Sequence, residues 1–74
     1  MWQISSREPR GLIWIFDGQQ QVAEVYADWD EREACVLHLR SDEDRPEVAR
    51  ILGDYWPSLN IVWPEEITIE EVRI

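Results

Sequence analysis

The chain predicts an α+β fold: a mixed, mostly antiparallel sheet of about four or five strands with one helix on one face, in the order β-β-β-α-β-β. Three observations lead there. Leu12-Ile13-Trp14-Ile15-Phe16 is β-branched and aromatic, and it stops at Asp17-Gly18, a strong hairpin turn signal. Val48, Ile51, Leu52 and Tyr55 recur at the i, i+3, i+4, i+7 spacing of one buried helix face, between Pro46 and Pro57. Two shorter apolar runs follow Pro57 and are parted by Pro64, as in strands that end early.

Taken in order, residues 12–16 form the first strand and Gln21 to Ala27 the second, joined by the Asp17-Gly18 turn. Val22, Val25, Tyr26 and Trp29 also have helical spacing, but a tight turn directly after a clear strand favours the hairpin. Asp28 to Glu33 is a polar connection. Ala34 to Arg40 alternates, which predicts a third strand with Cys35, Leu37 and Leu39 on one side and Val36 and His38 on the other. Ser41-Asp42-Glu43-Asp44 then supplies cap candidates and negative charge at the positive end of a helix dipole. Pro46 suits a first helical turn. Glu47, Arg50 and Asp54 fall on the outer face, where Arg50 can pair with either acid. Leu59–Trp63 reads as the fourth strand, reached by a parallel crossover, and Ile67–Ile74 as the last, with a bulge at Glu70-Glu71.

A chain of 74 residues makes one domain, spanning 1–74, and so small a core is often marginal without a staple. A single cysteine, Cys35, closes no internal disulfide, and no Cys/His spacing suits zinc. The start, Met-Trp-Gln-Ile-Ser-Ser, lacks the basic and apolar regions of a signal peptide, and the longest apolar run is far short of a membrane span. A cytoplasmic location is the expectation.

The net charge of −9 is unevenly distributed: residues 28–47 hold eight of the sixteen carboxylates against three arginines. Such a chain repels nucleic acid and anionic membrane, because binding phosphates needs a basic footprint. Neither is expected as a direct partner. A protein with a basic, nucleic-acid-binding surface is the expected one, drawn in by long-range attraction. Trp29 stands between Asp28 and Asp30, with Glu31 and Glu33 close by, an aromatic ringed by acids as at an interface anchor. Asp28, Trp29, Asp30, Glu31 and Glu33 are therefore the candidate partner-binding residues. Trp14 and Trp56 are expected in the core. One helix covers one sheet face only, yet residues 12–16 are apolar on both sides. The second face is then expected to bind a partner or a second copy of the chain, unless Trp2 and the N-terminal segment cover it.

No catalytic residue, metal site or cofactor is expected. Cys35 and His38 on one strand point to opposite faces, a poor geometry for a nucleophile pair. Asp28, Asp30, Glu31 and Glu33 lack the glycine and closing glutamate of a calcium loop, and three glycines leave little to cradle phosphate. The reading is of a non-enzymatic acidic binding module, an inhibitor or nucleic-acid-mimicking decoy. The alternative is an accessory protein that homodimerises through the bare sheet face.

The stretch "IFDGQQQVAEVYAD" resembles short hairpins of small phage- and prophage-encoded proteins. In size and acidic balance the chain is similar to phage antagonists of bacterial defence, of the anti-CRISPR type. That resemblance implies an inhibitor that places carboxylates where its target expects phosphates. The class shares no motif, so it assigns no residue.

Overall fold

A computed structural model describes residues 1–69. The elements are β1 (Trp2–Ile4), β2 (Gly11–Asp17), β3 (Gln20–Asp28), β4 (Glu33–Leu39), a 3-10 turn over Asp42–Asp44, α1 (Arg45–Tyr55), β5 (Asn60–Val62) and β6 (Thr68–Ile69). They build one mixed six-stranded sheet with a single helix, the expected α+β class with one more short strand, β1, at the start. Strands β1 to β4 are antiparallel neighbours, while β5 and β6 both run parallel to β4. β3 occupies one side of β4 from Glu33 to Leu39. On the other side β5 pairs with Glu33–Cys35 and β6 with His38–Leu39, so the two lie end to end as one interrupted edge strand. Pro64, which has no N–H to donate, falls in the interruption. Of the expected last strand, Ile67–Ile74, the described part is β6 at Thr68–Ile69; the rest, with the bulge at Glu70-Glu71, lies outside the described residues.

The β2–β3 hairpin closes as the turn signal predicts. Asp17 pairs with Gln20, and Gly18 takes φ 63°, a left-handed value at the first position of a two-residue turn. Further along, Val22 is an extra residue in β3: Ile15 opposes Ala23 and Phe16 opposes Gln21, and Val22 and Ala23 are both buried. The helix starts and stops where the prolines require. Its buried face is Val48, Ile51 and Leu52, completed by Trp56 just past the end, whose N–H donates to the Leu52 carbonyl. These pack with Ile13, Ile15, Val25, Val36 and Leu39 in one core. Each fully buried aliphatic side chain there contributes roughly 1.5–3 kcal/mol.

Four expectations about side chains are corrected. Tyr55 is exposed, not buried, because Trp56 takes the core position at the helix end. In β4 the simple alternation fails. Val25 opposes Val36 and Glu24 opposes His38, so Leu37 is a bulged residue. The bulge turns Ala34, Val36 and Leu39 into the core and leaves Cys35, Leu37 and His38 on the outer side. Cys35 and His38 therefore share a face. Trp14 is not core: it lies opposite Glu24 on the face away from the helix, and its Nε1–H donates to Glu24 Oε2 at 2.9 Å.

Candidate protein-binding face

The acidic stretch 28–47 is divided by the fold. Its first half forms the β3–β4 turn. Asp28 Oδ1 accepts from the backbone N–H groups of Asp30 (3.0 Å) and Glu31 (3.1 Å), so this carboxylate holds the turn together. Arg32 closes the turn at φ 57°, a left-handed conformation for a residue with a side chain, and its guanidinium lies 4.3 Å from the centre of the Trp29 ring. Trp29 is partly buried against the core. Together with Glu8, Pro9 and Arg10 it lines a shallow open cleft. Asp30, Glu31 and Glu33 are exposed. The five candidate residues thus meet at one hairpin tip, three of them as accessible carboxylates, with Asp28 and Trp29 also supporting the turn.

The second half lies past the far end of β4, roughly 20 Å away for a seven-residue strand. There Ser41 Oγ caps the 3-10 turn by accepting from Glu43 N–H. Asp42 binds Arg45 at 2.7 Å, and Arg50 engages both Glu47 and Asp54. Asp44 is the exception to a solvated cap. It is buried and accepts two hydrogen bonds from Arg40, Nε at 2.9 Å and Nη2 at 2.8 Å. Arg40 Nη1 also donates to Gln20 Oε1 at 2.9 Å and lies 3.8 Å from Asp17. The hydrogen bond to Asp44 raises the Arg40 pKa above its ordinary value despite partial desolvation. One arginine thereby joins the first hairpin to the helix start. Nothing in its spacing marks it in the sequence, where the acids around it read as a dipole cluster.

The sheet face opposite α1 carries exposed apolar side chains at Leu12, Tyr26 and Leu37. β1 continues the sheet edge-on, with Ser5 N–H donating to the Trp14 carbonyl, while Trp2 and Ile4 pack toward the core. Trp2 and Ile4 are thus not a lid on this face. Strand pairing arranges the face in rows that cross the strands. One row is Leu12, Tyr26, Cys35 and Val62, apolar throughout, with Leu12 48% and Tyr26 49% exposed. On one side of it runs Trp14, Glu24, His38 and Thr68; on the other Asp28, Glu33 and Asn60. The bulged Leu37, 38% exposed, projects between the apolar row and the Trp14 row. Every charged residue within a described strand is a carboxylate. The rows depend on register and on the two bulges, so composition alone could not reveal them.

Among the described residues no helix is long and apolar enough to cross a membrane, and no three of His, Cys, Asp and Glu are placed to hold a metal ion. No protein-family model, curated protein or solved structure matches the chain.

Proposed function

We propose that the protein is a non-enzymatic binding module that occupies an apolar and basic surface of a partner protein. The observation behind this reading is the row Leu12–Tyr26–Cys35–Val62, exposed at Leu12 and Tyr26 and partly exposed at Cys35 and Val62, bordered by carboxylates and without a cation in any described strand. Exposed apolar surface rimmed by polar groups is characteristic of interaction sites. The exposed tip acids Asp30, Glu31 and Glu33 extend the negative field beyond the face and hasten encounter with a basic partner. Such a module acts by occupation and inhibits whatever its partner's surface otherwise binds. The size and acidic balance shared with phage antagonists of bacterial defence agree with that action.

A second copy of the chain is the competing occupant. The same apolar row favours it, whereas bringing together two chains of net charge −9 opposes it.

The test compares capture of a partner by three forms of the tagged protein. Replacing Leu12, Tyr26 and Leu37 by serine should abolish capture. Reversing Asp30, Glu31 and Glu33 to lysine should slow association in a salt-sensitive way. Arg50→Ala, on the outer face of α1, should change nothing. A face variant that still captures the same partner overturns the reading, as does light scattering that shows a stable dimer lost in that variant.

A further inference from the structure

We infer that the occupant of the open sheet face is a basic amphipathic helix laid across the strands, with an apolar stripe on the Leu12–Tyr26–Cys35–Val62 row and arginine or lysine on both flanks. The inference rests on the binding-module reading above and names the partner's chemistry. The apolar row crosses β2, β3, β4 and β5. Three inter-strand spacings make it about 14 Å long. That is the length of about ten helical residues.

The flanks determine the charge. Glu24 lies one row to one side of the apolar row, and Asp28 and Glu33 lie one row to the other. Adjacent rows on one face are two residues apart, so these carboxylates stand about 13 Å from one another. A helix with its side chains is roughly 10–12 Å across. It fits between Glu24 on one side and Asp28 and Glu33 on the other, and a cationic side chain on either flank reaches a carboxylate. Glu24 is held in place by Trp14 Nε1–H. Aromatic rings at Trp14 and Tyr26 offer further faces to a guanidinium.

A second copy does not supply this helix. The outer side of α1 presents Glu47, Arg50 and Asp54, and Arg50 is already engaged by both acids. The described strands of a second copy would bring further carboxylates against these.

The probe is a synthetic amphipathic peptide of about fourteen residues, with leucines at helical spacing and arginines on both flanks. Its twin carries glutamates in place of the arginines. Backbone and indole N–H spectra of the intact protein report the site of contact. The expected result is saturable one-to-one binding of the arginine peptide, with shifts at Leu12, Trp14, Tyr26 and Cys35 and none from the twin. Replacing both Glu24 and Glu33 by glutamine should weaken binding about fivefold, less at high salt. Glu24→Gln keeps an acceptor for Trp14, so the variant tests charge and not the fold. Equal binding of the glutamate twin on the same face overturns the basic helix and leaves the binding-module reading standing. Shifts confined to the hairpin tip or to α1, or none with either peptide, overturn both.

Discussion

Replacing Asp44 by alanine should destabilise the domain by about 2–3 kcal/mol, more than any other single acid. The side chain of Asp44 is 11% exposed and that of Arg40 is 25% exposed. Removing one partner of a fully buried ion pair costs about 3–5 kcal/mol. An exposed pair is worth about 0–1 kcal/mol. Arg40 keeps some solvent and retains Gln20 and Asp17 after the substitution, which puts the loss between those limits. Domains of this size typically have a total stability of about 5–10 kcal/mol, so the variant should melt about 10–20 °C lower. Asp42→Ala is the matched control. It too removes one carboxylate from the helix start, but its partner Arg45 is near the surface and the Asp42 side chain is 61% exposed. That substitution should cost under about 1 kcal/mol. Urea titration followed by tryptophan fluorescence measures both. The difference between them removes the common loss of helix-dipole stabilisation and leaves the clamp. Should the two variants unfold within about 0.5 kcal/mol of each other, Arg40 does not bind the hairpin to the helix in the way described.

Leu52→Ala opens a cavity in a site 2% exposed and should cost about 2–5 kcal/mol by the same titration, whereas Arg50→Ala on the outer face should cost under about 1 kcal/mol. Asp28→Lys removes the acceptor for two backbone N–H groups and should cost about 1–2 kcal/mol, while Asp30→Lys, which loses no side-chain bond, should stay within about 0.5 kcal/mol of the parent; equal melting of the two would refute the turn role of Asp28. Gly18→Ala forces a side chain into φ 63° and should cost about 1–2 kcal/mol in a thermal melt.

The sequence was most informative where one local rule acted alone. The hairpin at Asp17-Gly18, the helix bounded by prolines and the parallel return, observed at Asn60–Val62 within the expected Leu59–Trp63, each follow from a short stretch. It was least informative where an inserted residue reset the pattern. Leu37 is apolar and sits where plain alternation pairs it with Leu39, yet the bulge leaves one exposed and buries the other. Trp14 reads as core from its place in an apolar strand, but strand parity puts it beside Glu24. The acidic run looked like one surface because its members are close in sequence. A strand between Glu33 and Leu39 carries them to opposite ends of the sheet. The two-sided apolar run at 12–16 points to apolar side chains on the second face, but their division into rows needs partners from four strands.

The interrupted edge formed by β5 and β6 bears on pairing in the plane of the sheet. A flat, unbroken strand at the rim of a sheet templates the next chain and leads toward fibres. Here one rim is the three residues of β1, and on the other the three residues of β5 are parted from β6 around Pro64. β1 and β5 each fall short of the six or seven aligned backbone groups on which cross-β growth depends. Along those stretches the sheet offers a neighbouring strand little to pair with in its own plane, while Leu12, Tyr26 and Leu37 are exposed on its face.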